Sequence, residues 1–165
     1  FYIIVVTNQS GVARGFLNED DLLGIHNELV RLMSKQGALI DALYYCPHLP
    51  DAPVRAYRMP CDCRKPAPGM LLRAATDWGL ELTQSFLVGD MPRDIQSGRS
   101  AGVKTIMVGA GGSERSEPDW AARDMVEAAR LILADISNDD GASPRQAVSL
   151  SSPGVREGAR RRRRE

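Results

Sequence analysis

Two stretches of the chain hold residue types whose spacing could do chemistry. The first runs from Tyr45 to Met70. It contains all three cysteines of the protein and one of its two histidines, arranged as Cys46-x-His48, twelve intervening residues, then Cys61-x-Cys63. Three thiolates and one imidazole form a donor set suited to closed tetrahedral zinc, because soft sulfur and borderline nitrogen match that ion. Arg64 and Lys65 follow the last thiol directly, so a metal-shaped loop would present two cations. This chemistry fits binding of a phosphate. An odd and clustered cysteine count speaks against a disulfide framework and for reduced thiols, hence for a cytoplasmic protein. A redox role for Cys61-x-Cys63 fits poorly, because the usual dithiol motif has two intervening residues.

The second group is scattered in sequence but shares one structural setting. Phe1–Val6 is an apolar, β-branched and aromatic run that predicts a buried strand, followed by a polar turn, Thr7-Asn8-Gln9-Ser10-Gly11. Ser85–Val88 predicts another strand, followed by Gly89-Asp90. In open α/β sheets, ligands bind beyond the carboxyl ends of the strands. There Thr7 and its neighbours could donate hydrogen bonds to a phosphate, and Asp90 could ligate Mg²⁺. Each also has a plain structural reading. The polar turn could bond only to itself, and an aspartate there could cap the next helix. Asp94 fits that capping role better than Asp90 does.

The elements that must position these residues follow from periodicity. Asn18 caps a helix with acids in its first turn; Leu22, Ile25, Leu29, Leu32 and Met33 form its stripe, and Gly37 ends it. His26 lies on this helix and reads as a surface or partly buried residue rather than a ligand. Leu39–Tyr45 predicts a second strand, delivering Cys46 to the same sheet edge. Residues 49–60 read as loop. A helix from Pro68 to Trp78 carries Met70, Leu71, Ala74, Ala75 and Trp78 inward and stops at Gly79. A helix from Asp94 to Ala101 leads to a strand at Lys104–Val108. The glycine-rich stretch 109–112 is too irregular for a dinucleotide fingerprint. Asp119–Ala121 predicts a short edge strand, and 125–136 a last helix with Met125, Val126, Ala129, Ile132 and Leu133 on one side. The alternation predicts an α/β fold, a doubly wound parallel sheet with helices on both faces.

Composition bounds the remaining classes. The 165 residues are 43% hydrophobic and 25% charged, as in an ordinary globular domain. No apolar run approaches the roughly 18 residues that span a membrane. The zero net charge divides unevenly, with 17 acids against 14 bases in residues 1–136 and 7 bases against 4 acids in 137–165. The first segment reads as one domain and the second as a disordered basic tail. The five arginines at 160–164 could touch an anionic surface, but they have no interleaved aromatics and follow an acidic body. No nucleic-acid or membrane partner is therefore expected. A non-catalytic zinc module using that tail is the competing class; a whole α/β sheet around a single metal site speaks against it.

Three segments together carry a resemblance: Thr7-Asn8-Gln9-Ser10-Gly11-Val12-Ala13-Arg14-Gly15, the Cys-x-His…Cys-x-Cys-Arg-Lys-Pro segment, and Val88-Gly89-Asp90. Over about residues 1–136 the chain resembles the zinc-containing subgroup of the haloacid dehalogenase (HAD) phosphatases. The resemblance implies a Rossmann-like sheet, structural Zn²⁺ on Cys46, His48, Cys61 and Cys63, and catalytic Mg²⁺ with Asp90 as a ligand. It implies Thr7 and Lys65 as stabilisers of the transferring phosphoryl group, Asn8, Gln9 and Ser10 as pocket residues, and Arg64 as the substrate-recognition arginine. The implied partner is a small sugar phosphate, with heptose 1,7-bisphosphate losing its 7-phosphate, or histidinol phosphate as the alternative, in a monomeric enzyme. The implied chemistry passes through an aspartyl-phosphate, made by the first aspartate of an Asp-x-Asp-Gly pair and assisted by the second. That pair should precede Thr7 by some tens of residues and does not occur there. Asp139-Asp140-Gly141 has the wrong spacing and follows a helix. The chain is therefore expected to lack its first strand and helix, and to be inactive alone. Met91, where the heptose enzymes usually carry lysine, is a second departure.

Overall fold

A computed structural model describes residues 1–109 and 117–139. These fall into two compact units, 1–64 and, among the described residues, 65–139.

In the first unit, β1 (Ile4–Asn8) pairs in parallel with β2 (Ala42–Cys46), joined through a four-residue helix α1 (Ser10–Ala13) and the long helix α2 (Glu19–Lys35). The strand begins later and ends later than the apolar run predicts. Phe1, Tyr2 and Ile3 are exposed, whereas Thr7 and Asn8 are in the ladder opposite Tyr45 and Cys46. The backbone partner decides this boundary: polar side chains extend a strand when β2 supplies hydrogen bonds alongside. Helix α2 starts as predicted. The Asn18 side chain accepts from the Asp21 N–H at 2.9 Å, and the Asp21 carboxylate accepts from the Asn18 N–H at 3.0 Å, a reciprocal capping box. Its inward face differs from the predicted stripe. Leu22 and His26, one turn apart, are the buried positions, and Ile25, Leu29, Leu32 and Met33 are exposed. His26 is more buried than expected. Its ring packs against Tyr45 at 5.5 Å, and burial lowers its pKa.

In the second unit, α3 (Gly69–Trp78) is followed by β3 (Phe86–Gly89), α4 (Pro92–Ala101), β4 (Lys104–Val108), β5 (Trp120–Ala122) and α5 (Met125–Asp139). The sheet order is β3-β4-β5, all parallel. Ile106, Ala122 and Ala128 form a buried cluster against which Phe86, Val88, Val108, Trp120, Leu131 and Ile132 pack. The stripe predicted for the last helix is thus rotated. Ala128, Leu131 and Ile132 face the core, while Met125, Val126 and Leu133 are exposed. The ion pair of Lys104 Nζ with Asp135 at 2.5 Å fixes that rotation. Both β3 and β4 approach α4 closely. A Cβ on Gly98 would lie 2.6 Å from Thr105 Cγ2 and 3.0 Å from Leu87 Cδ2, so only glycine permits this helix-to-sheet distance. The five-arginine run and Asp140-Gly141 lie outside the described residues, and among those described no helix is long and apolar enough to cross a membrane.

Candidate metal centre and phosphate-binding residues

Strand β2 ends at Cys46, and the chain leaves it through buried Pro47 into the loop that carries His48. Residues 55–57 make a 3₁₀ turn, and the Leu49 N–H donates to the Tyr57 carbonyl at 3.1 Å, folding the loop back. Arg58 clamps it by donating to the carbonyls of Ala52 and Pro53. This return brings Cys61 and Cys63 onto Cys46 and His48 across the twelve intervening residues. Cys46 Sγ lies 3.5 Å from Cys61 Sγ and 3.7 Å from His48 Nδ1; Cys63 Sγ lies 3.4 Å from His48 Nδ1 and 3.3 Å from Cys61 Sγ. All four donor atoms fall within 4.8 Å of one another, and no disulfide forms. Tetrahedral zinc with Zn–S of about 2.3 Å and Zn–N of about 2.0–2.1 Å separates its donors by about 3.6–3.8 Å. The observed set is slightly tighter than that and fits the ion.

The electrostatics of the bare cluster agree with this fit. Hydrogen bonds from Cys63, with lesser ones from His48 and Cys61, hold the Cys46 thiol down to about 5. Hydrogen bonding with Cys46 and burial push the Cys63 thiol well above its usual range, and burial raises Cys61. Three adjacent thiols cannot all ionise without a cation to offset their mutual repulsion.

Arg64 closes this loop. Its Nη1 donates to the carbonyl of His48 at 3.2 Å, so the guanidinium is tied to the backbone of a cluster residue. On the neighbouring strand, the Thr7 hydroxyl accepts from Gln9 Nε2 at 3.1 Å, and the Gln9 N–H donates to the Cys46 carbonyl at 2.8 Å. Asn8, Gln9 and Ser10 are half-buried at the carboxyl end of β1.

Lys65 belongs to the second unit. Its Nζ pairs with Asp94 Oδ1 at 2.8 Å, with both side chains largely buried. Asp94 stands in the first turn of α4, and its Oδ2 accepts the Met91 N–H at 3.0 Å. Asp94 therefore does cap the helix, but from its third position: the helix begins at Pro92 rather than at Asp94, with Met91 at the N-cap, and Asp94 has a second role that the sequence reading missed. The available signal was its position four residues beyond Asp90, one helical turn past a strand-end carboxylate. Gly89 makes room for it, since a Cβ there would lie 2.4 Å from the Asp94 Cβ. Asp90 itself is exposed at the end of β3. Among the described residues the cysteine–histidine set is the one group of three or more metal-binding side chains, so Asp90 offers a single carboxylate. This suits Mg²⁺, which keeps several waters and uses one or two carboxylates together with substrate phosphate.

A parallel α/β scaffold with lysine, aspartate and hydroxyl groups around strand ends is what phosphoryl-handling hydrolases use, and comparison with known proteins agrees. Residues 62–137 match the HAD-hydrolase-like family. The chain is 37% identical over 137 residues to the D-glycero-beta-D-manno-heptose-1,7-bisphosphate 7-phosphatase of Photorhabdus laumondii, spanning 82% of this chain and 71% of that protein. It is 42% identical over 103 residues to the enzyme of the same name from Rhodopseudomonas palustris, covering 62% of this chain and 57% of that protein. Among solved structures it is similar to the D,D-heptose 1,7-bisphosphate phosphatase of B. bronchiseptica complexed with magnesium and phosphate. There the TM-score is 0.69 and the identity 31%, over 81% of this chain and 75% of that one. The chain therefore belongs to the HAD-like phosphatase family. Its relatives are heptose bisphosphate phosphatases, and it spans between just over half and three quarters of the length of those named here.

Proposed function

We propose that this chain carries the phosphate-binding side of a Mg²⁺-dependent phosphomonoesterase acting on a sugar bisphosphate, with D-glycero-D-manno-heptose 1,7-bisphosphate as substrate and its 7-phosphate as the group removed. The observation that carries this reading is the buried Lys65–Asp94 pair on the turn that also bears Asp90, which sets a fixed cation and an exposed carboxylate at one strand end. The names of the relatives supply the substrate.

Phosphoryl transfer spreads negative charge over three equatorial oxygens, so positioning and cations carry most of its catalysis. Lys65 offsets that charge. The Thr7 hydroxyl donates to a phosphoryl oxygen, with Gln9 fixing its rotamer. Arg64, anchored at the His48 carbonyl, recognises the substrate, and Asn8, Gln9 and Ser10 line the pocket. Asp90 would hold Mg²⁺, which would supply positive charge to the transferring group. Cys46, His48, Cys61 and Cys63 would hold zinc as a structural ion, because four protein donors leave no open position for substrate. In the family mechanism implied by the resemblance, an aspartate takes the phosphoryl group and water releases it. No strand end among the described residues presents two aspartates two positions apart. Expressed as this sequence, the protein is expected to bind inorganic phosphate in the presence of Mg²⁺ without turning over heptose bisphosphate.

Phosphorus NMR titration tests the reading. Phosphate binding should require Mg²⁺, weaken at least tenfold in Lys65→Ala and vanish in Asp90→Asn, with zinc content unchanged. Phosphate binding indifferent to both substitutions would sink the proposal, and turnover by the chain itself would overturn its restriction to the binding side.

A further inference from the structure

The side of α4 that holds Lys65 has a second feature, which neither the family resemblance nor the relatives' names assign. Ser97 follows Asp94 by three residues and so lies on the same helix face. It is 1% exposed. Its hydroxyl donates to the carbonyl of Ala67 at 3.0 Å, a contact across thirty residues of chain. Asp94 holds the Lys65 side chain, and Ser97 holds the backbone two residues beyond Lys65. The segment 65–67 is thus fixed to α4 at two points, one ionic and one neutral. Gly98, next in sequence, sets how close this helix lies to β3 and β4, so Ser97 has little freedom to shift.

We propose that Ser97 is a positioning residue for Lys65: its hydrogen bond to Ala67 fixes the backbone from which the lysine reaches Asp94, and so sets where the ammonium stands. This rests on the reading of Lys65 as the phosphoryl-stabilising cation, but the coupling of Ser97 to Lys65 can be tested apart from it. A buried serine hydroxyl could serve only to satisfy itself. Here its acceptor is a carbonyl of the very segment that bears the functional cation, rather than one of its own helix. A lysine has four rotatable bonds, so anchoring its backbone narrows the range of positions its ammonium can take beside Asp94.

The chain has only three lysines, Lys35, Lys65 and Lys104, which allows a direct test on the zinc-loaded full chain. Trace acetylation followed by mass spectrometry reads the reactivity of each. Ser97→Ala should raise the labelling rate of Lys65 about three- to tenfold, the range that one net hydrogen bond commands. Lys35 and Lys104 should be unaffected, and Ser97→Thr, which keeps the hydroxyl, should return Lys65 toward its original rate. In parallel, inorganic phosphate with Mg²⁺ should bind Ser97→Ala more weakly by a similar factor. Unchanged Lys65 labelling in Ser97→Ala would overturn the inference. So would a joint rise at all three lysines, which marks general loosening. Failure of Ser97→Thr to restore Lys65 while it melts like the original chain would also overturn it. If the original chain binds no phosphate while Ser97→Ala still exposes Lys65 selectively, the functional reading fails and the coupling stands.

Discussion

Arg64 and Lys65 are consecutive in sequence, yet the two units hold them by opposite means. Arg64 belongs to the loop that gathers four candidate metal-donor atoms, and its Nη1 donates to the His48 carbonyl. Lys65 is attached to a regular helix through a buried carboxylate that is itself fixed by a backbone N–H. The first arrangement would be extrinsic, because three adjacent thiols can all ionise only beside a cation that offsets their repulsion. The second is intrinsic: a largely buried ammonium and carboxylate offset each other's charge. Under the proposed function this difference is useful: a guanidinium that recognises the rest of a substrate suits a loop, and an ammonium that meets a developing charge suits a hold on a rigid helix.

The largest expected effect separates the two arrangements. Chelation should release about one zinc per chain, and Cys46→Ser should prevent its uptake. Structural zinc sites supply folding energy that no single side-chain contact in this chain equals. Amide exchange should then quicken throughout residues 46–64, with the 86–108 amides keeping most of their protection. Equal loss in both regions would contradict the division.

Next in size is the intrinsic pair. Asp94→Ala should cost up to about 3–5 kcal/mol, because it removes the carboxylate paired with a largely buried ammonium. Denaturant melts would show it. The double variant Lys65→Met with Asp94→Leu should recover most of that stability and bind no phosphate, separating the stability of the pair from its function.

A smaller effect depends on pH. Burial lowers the pKa of His26 below 6.5. Its contribution to stability is then full above the unfolded-state value and is lost as pH falls from about 6.5 through the folded value. Stability should decline over that window, and His26→Leu should flatten it. An NMR midpoint for His26 above 6.5 would reverse the sign. Smallest of all in stability is Arg64→Lys, expected to change it by about 0.5 kcal/mol or less while weakening sugar-phosphate binding roughly tenfold, since lysine cannot present the planar fork.

Much of this was legible from residue order. The cysteine and histidine spacing pointed to the cluster that the fold brings together, because few other arrangements need three thiols and an imidazole so close. Asn18 and its following acids named the start of α2, because capping is local chemistry. Lys104–Val108 read as a strand at its observed limits. The failures share one cause. The inward faces of α2 and α5 were misread because those helices carry apolar residues over more than one face, and only the partner surface selects which is buried. Thr7 and Asn8 were read as a turn because their side chains are polar, while the ladder with β2 depends on backbone.

By itself, then, the sequence determined the candidate donor set of Cys46, His48, Cys61 and Cys63, the βα alternation and the adjacency of two cations behind Cys63. These are facts of residue type and near spacing, which covalent order controls. Only the tertiary structure decided how the cations are held: Arg64 by a carbonyl sixteen residues back, Lys65 by a carboxylate twenty-nine residues ahead. Such pairs depend on how helix and loop pack, and packing is set by shape and burial summed over distant segments.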